Sequence, residues 1–200
     1  MEQVINKKAY ELSKAGEIIQ TILIILGALL VPAVVPQLIQ AIFGKTSVIA
    51  NNSQLIVGSI VNISLIMAGI NMKGWRKLLL IATLPSLSAI GSGYIFGSLT
   101  KVTLFMIPGI WLGNFSLIIL MKYLYVNKNI NYALSSVVAI AIKVAIIFSV
   151  LNIWMSFSVL PNQGVVADTL RNTMGLTQAI TATIGAVISI LIIKLGFKNK

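Results

Sequence analysis

Histidine and cysteine are absent from all 200 residues, and only four side chains are acidic. Without imidazole or thiolate the chain lacks the ordinary ligands of zinc, haem and iron–sulfur clusters, and it has no disulfide framework. No cofactor is expected. Charge as a whole is scarce, at 10% of residues against 58% hydrophobic, and the mean hydropathy is +0.98. That composition belongs to an integral membrane protein. Fifteen Lys and Arg give a formal net charge of +11, which in a soluble domain would raise nucleic-acid binding. Here the cations flank apolar runs and report membrane topology, so no nucleic-acid partner is expected.

Runs able to cross roughly 30 Å of hydrocarbon, about 20 residues as helix, lie at Ile18 to Phe43, Gln54 to Met72, Leu78 to Phe96, Val102 to Tyr125, Tyr132 to Trp154 and Leu176 to Phe197. The expected fold is an all-α integral membrane protein, a six-transmembrane-helix bundle forming one domain over residues 18–197. The polar opening MEQVINKKAYELSKAGE, residues 1–17, reads as an amphipathic cytoplasmic segment, and 198–200 as a basic tail. No cleaved signal peptide is expected, because the first apolar run far exceeds a signal core. The third run contains LPSLSAIGSG, whose proline, serines and glycines leave a full crossing and a re-entrant segment both open.

With six spans, eleven cations fall on one side: Lys7, Lys8, Lys14, Lys73, Arg76, Lys77, Lys122, Lys128, Lys194, Lys198 and Lys200. Lys45, Lys101 and Arg171 fall on the other. This bias places both termini in the cytoplasm of a multi-pass cell-membrane protein, with membrane lipid as its surroundings. Small residues spaced for close helix contact occur at Gly93 and Gly97, Ala141 and Ala145, and Ala182 and Ala186. No internal repeat of the kind that builds large secondary transporters is evident, so a conventional two-gate pathway would need a partner or further copies.

The fifteenth cation is Lys143, in the middle of VVAIAIKVAIIFSV. It lies about 16 Å from either end of its run at 1.5 Å per residue, beyond the reach of a snorkelling lysine. No acid occurs in any span, and an intramembrane charge costs roughly 3 kcal/mol or more. Three states are open: a neutral amine held by hydrogen bonds, an ammonium held by polar neighbours and water, or an ammonium whose anion arrives with a ligand. The candidate neighbours are Asn114 in the fourth span, Gln178 and Thr181 one helical turn apart in the sixth, and Asn62 in the second. Thr183 accompanies them, and Trp111 and Tyr94 offer stacking surface. The inner halves of the fourth and sixth spans, SLIILM and AVISILII, are hydrocarbon, so the polar set describes a pocket open to the outside rather than a pore. Interhelical glue is the alternative for each amide or hydroxyl. Asp168, the one acid on the outer side, sits with Gly164 and Arg171 in the long break SFSVLPNQGVVADTLRNTMG, which reads as a loop with the length of a lid.

Six short spans, basic cytoplasmic loops and an outward polar site resemble the substrate-capture component (S component) of energy-coupling factor (ECF) transporters. PGIWLGN at Pro108 to Asn114, the lysine of IAIKVAIIF, and GLTQAITATIG at Gly175 to Gly185 are similar to a clostridial-type subgroup sometimes labelled "iron hydrogenase". The absence of cysteine argues against that label as chemistry. The first span, GALLVPAVVPQLIQAIFG, has two prolines where the family commonly carries an alanine-rich AxxxA contact. The resemblance implies capture of a vitamin or micronutrient from outside, followed by docking on a membrane coupling protein driven by two cytoplasmic ATPases. The chain has no Walker motif, so ATP hydrolysis would belong to those partners and the chain itself is not expected to be an enzyme.

On this reading a small-molecule, anionic ligand pairs with Lys143, while Asn62, Asn114, Gln178, Thr181 and Trp111 orient it. The competing reading is a structural or assembly subunit, in which Lys143 meets a carboxylate on another protein.

Overall fold

Hydrocarbon offers no hydrogen bonds to an open backbone, so apolar runs of this length must close their N–H and C=O groups internally as helix. The computed structural model describes residues 14–92, 104–157 and 163–197, and among them there is no strand. The helices are α1 (Lys14–Phe43), α2 (Val48–Asn51), α3 (Ser53–Asn71), α4 (Trp75–Ser92), α5 (Ile107–Leu120), α6 (Tyr132–Phe157), α7 (Gln163–Arg171) and α8 (Thr177–Phe197). A 3-10 turn at Leu104–Met106 leads into α5, and π-helical winding continues α5 over Met121–Asn127 and joins α7 to α8 over Asn172–Leu176.

Five of these stretches are long and apolar enough to cross a membrane: Ile18–Phe43, Ser53–Asn71, Leu104–Asn127, Tyr132–Phe157 and Val166–Leu195. The protein is an all-helical, multi-pass membrane protein. Leu23, Ile42, Val137 and Leu195 are exposed, as suits a surface whose solvent is hydrocarbon. The expected third span is helical as α4, but α4 is 18 residues long with Pro85 inside it and does not join the five; residues 93–96 of that expected span lie outside the described residues. Gly93, Tyr94 and Gly97 lie there too.

The long break expected after the fifth span is not a loop over its second half. Val166, Ala167, Leu170 and Met174 recur at three- and four-residue spacing, which turns one apolar face of a helix inward. Val166, Leu170 and Met174 close an apolar cluster with Met106, Ile110, Ile147 and Leu151. Asp168 and Arg171 point outward and pair with each other at 3.4 Å.

Contacts between helices fix their directions. Ser88 Oγ donates to the carbonyl of Leu29 and Ser92 Oγ to that of Pro32 at 3.4 Å, so α1 and α4 run parallel. The amide of Asn114 donates to the Ala82 carbonyl and the Trp111 indole to Ser86 Oγ, so α5 runs back against α4. A Cβ at Gly109 would meet Val150 and one at Gly113 would meet Ile147, so α6 is antiparallel to α5. A Cβ at Gly58 would lie 2.9 Å from Thr181 and one at Gly185 would lie 2.7 Å from Asn62, which makes α3 and α8 parallel and in intimate contact.

The expected small-residue contacts divide. Ala182 and Ala186 are buried, whereas Ala141 and Ala145 line an open apolar groove of about 710 Å³ between α6 and α8.

The tightest backbone approach is at Gly69, where an added Cβ would sit 2.6 Å from the carbonyl oxygen of Ile118. Beside it Lys122 Nζ donates to the Met72 carbonyl at 2.6 Å and reaches the Gly69 carbonyl at 3.5 Å, closing the C-terminus of α3. Because backbone cannot give way as a side-chain tip can, Gly69→Ala is expected to destabilise the bundle by about 1–3 kcal/mol. Unfolding of the purified protein in mixed micelles measures this, and an unchanged midpoint would show that α3 and α5 separate without cost.

Candidate functional site

Six helices converge on one small, partly open cavity near mid-bundle. Pro32 comes from α1, Gly58 and Asn62 from α3, Pro85 and Ser86 from α4, Asn114 from α5, Lys143 from α6 and Gln178 from α8, with Gln54, Val57, Val61, Ala89 and Ile110 completing the wall. Its volume is about 70 Å³. That is room for two or three waters or one compact polar group, and well below the roughly 300–1,000 Å³ of pockets that enclose a whole drug-sized ligand.

Lys143 is 1% exposed and is the largest of the fully buried side chains. Its Nζ donates to Asn62 Oδ1 at 2.6 Å. The orientation of the Asn62 amide follows from its other contacts, because its Nδ2 donates to the Gly58 carbonyl at 2.8 Å and to Thr181 Oγ1 at 3.3 Å. Both N–H groups are thereby committed to acceptors, and the oxygen is left to face the lysine. Thr181 in turn donates to the Gln178 carbonyl at 3.2 Å. Lys143, Asn62 and Thr181 thus form one hydrogen-bonded chain across α6, α3 and α8.

A lysine head group carries three donors as an ammonium, and Asn62 is the acceptor it reaches among the described residues. Among the described residues no carboxylate approaches it. Asp168 is exposed and bonded to Arg171, so the outer acid does not fold down into the bundle. What Lys143 offers is a buried amine donor beside a small cavity whose other polar groups are amides and a hydroxyl. Such a set suits an oxyanion. No three metal-ligating His, Cys, Asp or Glu side chains come together among the described residues.

The remaining expected residues divide between the cavity and its supports. Asn114 and Gln178 line it directly, although the Asn114 amide also ties α5 to Ala82 of α4. Thr181 stands one bond behind the wall, holding Asn62. Trp111 is displaced from the expected stacking role: its indole N–H is bonded to Ser86 Oγ at 2.6 Å, which places it outside the lining and makes it a support for Ser86. Thr183 turns to another face, where it bonds the Ala179 carbonyl and borders the α6–α8 groove.

Ser86 and Gln54 line the cavity and were not singled out from the sequence. Ser86 lies in a stretch dominated by helix-breaking residues, and Gln54 sits at the edge of its span, where a polar residue is ordinary. The Pro85–Ser86 pair carries a signal nonetheless, since a proline inside a helix needs neighbouring polar groups to compensate its missing N–H.

Apart from Ser189 Oγ, the buried side-chain polar atoms among the described residues have partners. No family model matches the chain, and neither curated proteins nor solved structures give a match.

Removing Asn62 strands the lysine without its acceptor, and leaving a buried donor unsatisfied typically costs about 1–3 kcal/mol. Asn62→Leu is therefore expected to lose about that much stability, and the further change Lys143→Met to restore most of it. A double-mutant cycle on micellar unfolding reads the coupling. Simple additivity of the two changes would mean that the bond contributes nothing.

Proposed function

We propose that this chain is a substrate-capture subunit of the ECF type, which binds the anionic group of a small molecule at Lys143 and passes the ligand to partner proteins that hydrolyse ATP. The observation that carries the reading is the buried lysine with an amide acceptor and, among the described residues, no carboxylate, facing a cavity to which six helices contribute. An intramembrane cation that is costly and internally uncompensated is explained most economically by an anion that comes and goes. The ligand class is a vitamin or related micronutrient carrying a carboxylate or similar oxyanion.

In the conformation described, the cavity admits that anionic group alone. A larger ligand requires the helices to part, and α1 and α4 offer the means. Pro32 and Pro85 line the cavity and interrupt the helical hydrogen-bond ladder on two of its walls. The reading takes α4 as a sixth crossing, in which case the alternating helix directions return the end of α8 to the side where α1 begins. On this reading the basic residues Lys73, Arg76, Lys77, Lys128 and Lys194 share that side, which the positive-inside bias assigns to the cytoplasm.

The competing assembly role is disfavoured by geometry. Lys143 is enclosed by the bundle, so a carboxylate from another protein would have to thread between helices to reach it.

Native mass spectrometry of the gently purified protein tests the proposal. A stoichiometric small anion is expected on the wild type and absent from Lys143→Met, with the variant folded and inserted as before. A wild type that carries no small molecule, but leaves the membrane bound to a second subunit that Lys143→Met releases, would overturn capture in favour of assembly.

A further inference from the structure

A second, larger cavity opens at the basic face, between the start of α1 and the turn that joins α3 to α4. Its volume is about 300 Å³, and its walls differ in chemistry. Thr21, Asn71, Lys73 and Lys77 supply hydroxyl, amide and two ammonium groups, while Ile18 and Ile22 supply an apolar side. Ile18, Ile19, Ile22 and Leu23 are exposed, so the apolar wall continues as an open aliphatic strip along α1. Trp75, 63% exposed and covered by the Arg76 guanidinium at 5.7 Å, marks this turn as lying at the membrane–water boundary.

We propose that this cavity binds the headgroup phosphate of an anionic phospholipid, with Lys73 and Lys77 as the charge partners and the lipid's chains lying along Ile18 and Ile22. Volume, charge and polarity agree. A glycerophosphate head fills a few hundred cubic ångströms, needs cations and hydroxyl or amide donors on one side, and continues into hydrocarbon on the other. A water-soluble phosphate would leave the aliphatic strip unused. The local charge favours an anion: Lys73, Arg76 and Lys77 fall within five residues, and the Lys122 ammonium bonds the carbonyl of Met72, which lines the wall. Basic pockets between helices at a membrane surface select anionic headgroups at about 1 kcal/mol per lysine.

The site is independent of Lys143, which lies in another cavity. The test uses the full chain in neutral detergent, titrated with phosphatidylglycerol or phosphatidylcholine and read by native mass spectrometry. Phosphatidylglycerol is expected to be retained preferentially, and Lys73→Gln with Lys77→Gln to weaken it roughly 30-fold. Nine cations remain on that side in the double variant, so insertion is preserved. Lys45→Gln, on the opposite face, is expected to leave retention unchanged. Equal retention of the two lipids, or a double variant that holds phosphatidylglycerol like the wild type, overturns the proposal. Glycerophosphoglycerol competing as well as the intact lipid would assign the cavity to a soluble phosphate ester and overturn the lipid as its occupant.

Discussion

A lysine head group in the middle of a bilayer must find acceptors within its own length, and the bond from Lys143 to Asn62 meets that demand here. Its dependence extends outward in steps. Asn62 accepts from the lysine because its own N–H groups are held by Gly58 and Thr181, and Thr181 is held by the turn before it. Three helices are thereby committed to one arrangement around a single amide. The geometry of α3 against α8 serves the lysine as much as it serves packing.

Packing in lipid obtains little from burial of aliphatic surface, since the surroundings are equally apolar, and instead needs backbones to come close. Five glycines occupy places where they do: Gly58 against Thr181, Gly69 against the Ile118 carbonyl, Gly109 and Gly113 against α6, Gly185 against Asn62. Proline has the complementary role. At Pro32, Pro36 and Pro85 the helices lose donors, and hydroxyls of Ser88 and Ser92 reach carbonyls of α1 across the interface. Loosened segments and close contacts alternate around the cavity, so it is bounded by rigid walls on the α3–α8 side and by interrupted helices on the α1–α4 side.

Much of this was legible in the sequence, for a physical reason. Lys143 stands out because no soluble-like environment can be imagined for it in VVAIAIKVAIIFSV, and the few mid-span amides are the only groups able to meet it. That logic identifies Asn62 and Asn114 without knowledge of helix order. What the sequence hides is distance. Trp111 occupies the right depth but turns to Ser86, a choice made by helix rotation rather than composition. The helix α7 was obscured because polar residues outnumber the apolar ones around Val166, Ala167 and Leu170, and only their spacing reveals the buried face. The small volume of the cavity is a property of interlocking side chains and has no signature in any one segment.

The contact between α3 and α8 works as a key with a single cut. Along each helix, four residues apart, a glycine alternates with a polar side chain: Gly58 then Asn62 on one, Thr181 then Gly185 on the other. Slide α8 by one turn in one direction and Asn62 and Thr181, which now bond diagonally, come directly opposite each other at a spacing set by glycine; slide it in the other and two glycines face each other across a gap. Only one alignment lets both polar residues seat. The same few atoms that shelter the lysine therefore also encode how far one helix has travelled along its neighbour, and a chain inserted piecemeal into the membrane can recognise when its second and last long apolar helices have stopped in the right place.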